Sequence, residues 1–203
     1  MYNINKNIKM VVKFMKKGLR NTLIVVGIIL LILFPLIGTY NKLVSMDQNV
    51  NRAASNIDTN LQRRSDLISN LVETVKGYAA QEKDIFKGVA DARSKLAGAQ
   101  KIDEKAQANE ELSGALSRLL VVVERYPDLK SSQNFKDLSV AIEGTENRIA
   151  IARQDYNESV NKYNTSIRKF PNSIVAGIFR FSEKPYFKAE AGASKVPKVD
   201  FSK

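Results

Sequence analysis

The feature that most constrains this chain is an uncharged apolar run over residues 21–40, directly behind a basic head. Residues 23–38 read LIVVGIILLILFPLIG, and no charged residue occurs between Arg20 and Lys42. About 20 helical residues, at about 1.5 Å each, match the roughly 30 Å hydrocarbon core of a bilayer. The run therefore predicts a transmembrane helix and makes a membrane-anchored protein the first expectation.

The basic head, residues 1–20, indicates which end of the span faces the cytoplasm. It carries six lysine and arginine residues and no acid. Because basic residues prefer the cytoplasmic side, we expect the N-terminus on the cytoplasmic side of the cell membrane and residues 41–203 on its outer side. A buried core helix rarely needs so long an apolar run. A cleaved signal peptide shares this layout, but residues 39–45 contain no small-x-small cleavage site, which favours an uncleaved signal anchor in a single-pass protein.

The net charge of +11 is concentrated towards the two ends of the chain. Residues 41–179 carry 20 basic and 18 acidic residues, so the middle is nearly balanced. Proteins that bind nucleic acid concentrate positive charge on one face and often interleave it with aromatic residues. The distribution argues against a nucleic-acid partner and is typical of basic segments beside a lipid bilayer.

The chain contains no cysteine and no histidine. This composition excludes disulfides, thiol nucleophiles, triads with an imidazole base and zinc sites built on these residues. It also excludes ferritin-like di-iron sites, which need histidine on two helices. We therefore expect no catalysis and no cofactor, and the missing cysteines are compatible with an extracytoplasmic location.

Within residues 41–170, apolar residues recur at alternating steps of three and four along four segments. Such steps bury one face of a helix, whereas a strand repeats every two residues. The segments run over residues 43–78, 85–99, 112–126 and 135–170. We predict an all-α fold, in which an N-terminal transmembrane helix precedes an antiparallel bundle of about four long helices that pack like a coiled coil.

Residues 171–203 combine three prolines with five aromatic residues, a composition that disordered linkers lack. We expect residues 174–187 to pack in an extended path against the bundle. A docking segment for a partner or a membrane surface is the functional alternative. For the last ten residues, both packing and disorder stay open.

Arg64 falls on the apolar face of the first bundle helix, where a charged group must be paired or solvated. Asp66, or an acid on a facing helix, could pair with it, so a structural ion pair is the first interpretation. The alternative is that Arg63 and Arg64 together contact an anion or an acidic peptide.

Two groups of polar residues on the fourth bundle helix are further candidates. Glu143 and Glu146 lie three apart and could bind a cation or act as acid and base, although Arg148 favours simple salt bridging. Gly144 between them predicts a close helix approach. Asparagines follow at residues 157, 161 and 164 on one stripe, and they predict either interhelical hydrogen bonds or a binding surface.

These segments resemble the LemA family of bacterial membrane proteins. The matching blocks lie at residues 38–41, 61–64, 66–68, 70–78, 112–124, 126–130, 143–149, 156–157, 163–164, 170–171, 185–187 and 197–201. The resemblance implies a single-span protein with an antiparallel helical bundle and a role in the cell envelope, and it supplies no catalytic residues.

Together these features favour a membrane-anchored, non-enzymatic helical scaffold that presents its bundle to another envelope protein. One alternative is a receptor for an extended peptide or small ligand, using Arg63, Arg64 and the asparagine stripe (Asn157, Asn161, Asn164). A less favoured alternative is a carboxylate-based metal-binding module at Glu143 and Glu146.

Overall fold

The computed structural model describes the backbone of residues 2–188 and the side chains of residues 18, 19, 21–28, 31 and 34–188. Within residues 2–188, six α-helices follow one another: α1 Tyr2–Lys76, α2 Lys83–Gly98, α3 Ile102–Val123, α4 Pro127–Ser131, α5 Gln133–Arg168 and α6 Asn172–Phe179. No strand occurs between residues 2 and 188, so the predicted all-α class is confirmed. The open question about the last ten residues lies outside this range.

The chain divides into two compact units. Unit 1 comprises Met1–Ser45 and Thr165–Ser182, and unit 2 comprises Met46–Asn164 and Glu183–Lys203. Unit 2 therefore contains the second half of α1, the helices α2 to α4 and nearly all of α5, whereas unit 1 contains the first half of α1 together with α6.

Contacts between side chains give the helix directions in unit 2. Asp58 and Arg64 of α1 contact Lys105 and Asn109 of α3 respectively, so these two helices run parallel. The α2 helix runs the other way, because its residues 86 and 93 contact residues 76 and 65 of α1. Arg64 also pairs with residue 146 of α5, while residues 46–56 share a cavity lining with residues 159–162, so α5 is antiparallel to α1. The result is an up-down-up-down bundle.

The predicted apolar stripes form the core of this bundle. The α1 residues Ile57, Ile68, Leu71 and Val75 are fully buried. The stripes of α3 and α5 contribute in the same way through Leu112, Leu119, Val123, Ile149, Val160 and Tyr163. Because these residues recur every three or four positions, they lie on one face of each helix and meet at the centre.

The structure differs from the predicted elements at several places. Tyr78 and Phe170, the last residue of each long stripe, are 49% and 82% exposed because they lie beyond the ends of their helices. Gly144 does not mark a close helix approach, since no atom beyond its own helix backbone and its chain neighbours lies within 4 Å of the place that a Cβ would occupy. Pro127 begins α4, as suits a residue without an N–H.

The extended path predicted for residues 174–187 is wrong in its first part. Residues 172–179 form α6, in which Val175 and Ala176 are buried. Arg180 then ends the helix in the left-handed conformation, with φ of 59°, and Phe181 donates its N–H to the Ala176 carbonyl at 2.9 Å. Only residues 181–188 follow an irregular path without helix.

In unit 1, Tyr40 of α1 packs against two aromatic residues at the end of α6. Its ring centroid lies 4.7 Å from that of Phe179 and 5.8 Å from that of Phe181. Among the residues that the structure describes, no helix has both the length and the apolar character needed to cross a membrane. The span predicted over residues 21–40 is not confirmed and stays a prediction.

Candidate functional site

The most distinctive polar arrangement in unit 2 lies along α5, where an asparagine row (Asn157, Asn161, Asn164) faces residues 183–188, called here the extended segment. Asn164 is buried, Asn157 is half-buried and Asn161 is exposed. Positions four and seven residues apart share one helix face, so the three amides follow one line.

Two of these amides each bind the backbone of one residue in the extended segment. The Asn164 Nδ2 donates to the Lys184 carbonyl, and the Lys184 N–H donates to the Asn164 Oδ1, both at 2.9 Å. Asn157 repeats the pattern on Phe187, with distances of 2.9 Å to the carbonyl and 2.8 Å from the N–H. Each asparagine thus satisfies a donor and an acceptor that a neighbouring strand satisfies in a sheet.

The spacing of the two contacts follows from the geometry of helix and strand. Asn157 and Asn164 are seven residues apart, which is about 10.5 Å along a helix. Lys184 and Phe187 are three residues apart, which is about 10 Å along an extended chain. The two distances match, so Lys184 and Phe187 can each lie opposite one asparagine. Because Asn164 binds the earlier residue and Asn157 the later one, the segment runs antiparallel to α5.

Side chains fix the position of the extended segment as well. The Tyr156 hydroxyl donates to the Pro185 carbonyl at 2.8 Å, and burial raises the pKa of this tyrosine. Phe187 is 3% exposed, and the Arg153 guanidinium lies 4.5 Å from its ring centroid. Lys184 Nζ pairs with Asp47 of α1 at 2.8 Å.

The sequence predicted that the asparagine row forms either interhelical hydrogen bonds or a binding surface. The interhelical interpretation is wrong for these side chains, since their partners lie in the extended segment. Asn161 takes part weakly, with its Oδ1 accepting from the Tyr186 hydroxyl at 3.3 Å. Sequence reasoning missed Arg153, and it expected Phe187 to pack on the bundle without linking it to the asparagine row, although the two-turn spacing of Asn157 and Asn164 is a signal for such an arrangement.

Arg64 lies at the centre of a second polar group, between α1, α3 and α5. It is 3% exposed; one guanidinium nitrogen donates to the Asn109 Oδ1 at 2.6 Å, and the other lies 2.7 Å from the Glu146 Oε2. Burial lowers the pKa of Arg64, and the nearby Glu146 charge opposes this shift. The group joins three helices around one charge.

The other predicted polar residues lie apart from Arg64. Arg63, Glu143 and Arg148 are exposed. Asp66 accepts a hydrogen bond from Gln62 on its own helix at 2.8 Å and is not the partner of Arg64. Sequence reasoning missed Asn109, whose signal is a polar residue three positions before Leu112 on the buried stripe of α3.

Glu143 and Glu146 do not act as a pair, because Glu143 is exposed whereas Glu146 is engaged by Arg64. Within the part of the chain that the structure describes, no group of three or more acidic residues could hold a metal ion. The geometry therefore gives the metal-binding alternative no support.

Comparisons with known proteins agree with the resemblance noted from the sequence blocks. The model of the LemA family matches residues 53–201. The chain is 30% identical, over an alignment of 199 residues, to the magnetosome proteins MamQ 1 and MamQ 2 of Paramagnetospirillum magneticum, covering 84% of this chain and 73% of theirs. It is 26% identical over 172 residues to Protein LemA of Metamycoplasma hominis, covering 82% of this chain and 75% of that protein. Because the family match extends over most of the bundle and the extended segment, the chain belongs to the LemA family.

Proposed function

We propose that this protein is a non-enzymatic, membrane-anchored helical scaffold that presents its bundle to another protein of the bacterial envelope. The N-terminus lies in the cytoplasm, residues 21–40 span the membrane, and unit 2 lies outside it. The proposal rests on the exposed apolar residues of α1, the basic head and a sequence without histidine or cysteine.

The observation that carries the proposal is the exposure of large apolar side chains around the whole circumference of α1. Leu23, Ile24, Val25 and Val26 occupy a full helical turn, and each is between 45% and 63% exposed. Phe34, further along, is 82% exposed. Proteins in water rarely leave so large a continuous apolar surface uncovered, whereas lipid tails cover it at no cost.

The absence of cysteine makes the topology directly testable, because an introduced cysteine is unique. Asn134→Cys, on an exposed position of α5, should react with a membrane-impermeant maleimide in intact cells. Asn5→Cys, in the basic head, should react only after lysis. The reverse pattern would place unit 2 in the cytoplasm. Labelling of both sites in intact cells would contradict a membrane span between them.

The partner is sought by photocrosslinking in intact cells, with a photoreactive residue in place of the exposed Arg63. Replacement of Lys136, which is also exposed but lies on another helix, serves as the matched control. Reproducible capture of one envelope protein from Arg63 but not from Lys136 supports the scaffold. Capture of cytoplasmic proteins alone contradicts the topology, and equal capture from both positions removes Arg63 as a specific contact.

A second candidate function is a receptor for an extended peptide, which the asparagine row favours. Asn157 and Asn164 bind the backbone atoms of residues 187 and 184 respectively, so these hydrogen bonds do not depend on the side chains of the bound peptide. A foreign peptide could take the same place if the extended segment left it.

The test uses a fluorescent peptide copied from residues 181–190 and the full-length protein. Phe187→Ala removes the buried anchor of the protein's own segment, so this variant should bind the peptide more tightly than the wild type does. Adding Asn157→Ala and Asn164→Ala should abolish that gain. Failure of the Phe187→Ala variant to bind the peptide would remove this candidate.

A further inference from the structure

The helix α6 in unit 1 carries an exposed face that is entirely apolar. Ile174 and Ile178, one turn apart, are 49% and 65% exposed, with Gly177 beside them. Phe170, just before the helix, is 82% exposed. The opposite face, with Val175 and Ala176, is buried, so α6 has a covered side and an uncovered side that are both apolar.

Tyr40 holds α6 at a defined height along α1. The contacts of its ring with Phe179 and Phe181 attach the C-terminal end of α6 to the last residue of the predicted span over residues 21–40. The apolar face of α6 thus lies at the level where the exposed apolar surface of α1 ends, which is where lipid headgroups meet acyl chains if α1 spans the bilayer.

The charges of unit 1 all have one sign. Residues 1–45 and 165–182 contain ten lysine and arginine residues and no acid. Near α6, these are Arg168 and Lys169 before the helix and Arg180 directly after it. Basic side chains at both ends of a short apolar helix are the pattern of helices that lie in a membrane interface, where they reach the phosphates while the apolar face enters the acyl region.

We propose that α6 is an interfacial helix that docks on the surface of an anionic bilayer, with Phe170, Ile174 and Ile178 inserted below the headgroups. The inference rests on the proposed membrane anchor and adds a second lipid contact to it. Eight residues span only about 12 Å, so α6 lies on the bilayer and does not cross it. The uniform positive charge favours phospholipid over a second copy of this chain, whose own unit 1 is equally basic.

The test places single cysteines in the full-length chain, reconstituted into vesicles of phosphatidylglycerol and phosphatidylcholine that contain a nitroxide-labelled lipid. An environment-sensitive dye is attached at Ile178→Cys on α6, at Ile24→Cys in the predicted span, or at Val140→Cys. Val140 is the matched control, since it is an apolar residue of unit 2 with 69% exposure. We expect strong quenching at positions 24 and 178, and severalfold weaker quenching at position 140.

The outcomes separate this inference from the membrane anchor. Quenching at position 24 without quenching at position 178 overturns the docking of α6 and retains the anchor. Quenching at position 178 alone supports the docking and overturns the span, while quenching at neither position overturns both. A dye at position 178 that reports an apolar environment without being quenched is covered by protein, which also contradicts lipid docking.

The contribution of charge is measured with Lys169→Gln and Arg180→Gln in the Ile178→Cys background. Replacing phosphatidylglycerol by phosphatidylcholine should weaken quenching of the parent protein and have less effect on the double variant. Equal dependence on anionic lipid in both proteins would contradict a role for these two side chains.

Discussion

The two units of this chain are built from the same kind of helix but differ in charge and in the placement of apolar residues. Unit 1 holds ten of the 32 basic residues and none of the 21 acids, which leaves unit 2 with 22 basic and 21 acidic residues. In unit 2 the apolar stripes are buried, as at Ile57 and Ile149. In unit 1 large apolar residues such as Phe34 and Ile178 are exposed.

This difference indicates which environment each unit is adapted to. A charge-balanced helix with one buried stripe is stable in water because its apolar face packs on its neighbours. If residues 21–40 span the membrane as proposed, the acid-free half of α1 satisfies its backbone internally and lipid covers its apolar residues. The stability of unit 2 should therefore depend on specific buried contacts.

The largest effect is expected at the buried arginine of unit 2. The Glu146 side chain is itself 46% exposed, but Glu146→Ala leaves the buried guanidinium of Arg64 with Asn109 as its remaining partner. An under-paired buried charge of this kind costs about 3 kcal/mol of the free energy of unfolding. Urea unfolding of the full chain in detergent micelles, followed by circular dichroism, measures the loss.

The matched control for this prediction is Glu143→Ala, which removes an exposed acid from the same helix and should change stability by less than about 0.5 kcal/mol. Replacing both Arg64 and Glu146 by methionine should restore most of the lost stability, since no charge is then left buried. Equal losses of unfolding free energy from Glu146→Ala and Glu143→Ala would contradict the prediction, because the stability of unit 2 would then not depend on the pairing of Arg64.

The next largest effect is expected from the asparagine row. Asn157→Ala with Asn164→Ala leaves four backbone groups of residues 184 and 187 without their partners, which costs about 2 kcal/mol after the extended segment relaxes into water. Hydrogen exchange should then rise at residues 184 and 187 while the core of α3 stays protected.

Asn161→Ala is the control for the row, because its contact with the Tyr186 hydroxyl is long and exposed. It should leave exchange at residues 184 and 187 nearly unchanged. Increased exchange across the whole bundle in the double variant would mean that these asparagines support unit 2 globally and do not specifically hold the segment.

These two sites show how far the sequence alone could lead. The helical stripes were predictable because burying one face requires a period near 3.6, and the position of Arg64 on that face marked it as unusual. Its partners were not predictable, since Asn109 and Glu146 lie 45 and 82 residues away in the chain and meet it only through the register of three helices.

The partner of the asparagine row and the helix α6 were missed for different physical reasons. The row was visible as a stripe, but its partner is an extended segment without any period of its own. In α6, eight residues are too few for a helical period to show, and the flanking Pro171 and the internal Gly177 indicated an irregular path. Packing of Tyr40 on Phe179 is a tertiary contact that residue order does not reveal.

Alkaline pH should weaken unit 2 through two buried tyrosines. Burial raises the pKa of Tyr156 and Tyr163 above the ordinary value of 10.0, and the charges of Asp103 and Asp47 add to the two shifts. The unfolded chain therefore loses these protons at lower pH than the folded chain does. The resulting loss of stability begins near the ordinary value and continues as the pH rises through the raised pKa.

Thermal unfolding of the wild type and of the variant Tyr156→Phe with Tyr163→Phe, across alkaline pH, measures this contribution. Lysines titrate in the same range, so the difference between the two proteins isolates the tyrosines. The wild type should lose stability more steeply. Parallel curves would show that these tyrosines do not distinguish the folded from the unfolded state.

A smaller gain is expected at Gly144, in the exposed middle of α5. A Cβ at this position meets nothing within 4 Å apart from the helix backbone and the chain neighbours, so Gly144→Ala should add about 1 kcal/mol to the free energy of unfolding. Gly77→Ala, just beyond the end of α1, is the control, because the new Cβ meets only the Thr74 carbonyl oxygen at 3.4 Å but gains no helix propensity there, so the increase should be smaller. Equal gains at both sites would mean that the effect arises in the unfolded chain alone.

The smallest effect is expected in unit 1, at Arg180. This residue ends α6 with a positive φ, a conformation that costs most residues about 1–2 kcal/mol and glycine almost nothing. Arg180→Gly should therefore raise the stability of the full chain in micelles by about 0.5 kcal/mol, since the added freedom of glycine in the unfolded state offsets part of the gain. In anionic vesicles the same variant should reduce quenching at position 178. Higher stability together with weaker lipid contact would show that unit 1 keeps a strained arginine for its charge, whereas lower stability would assign the side chain to the folding of α6.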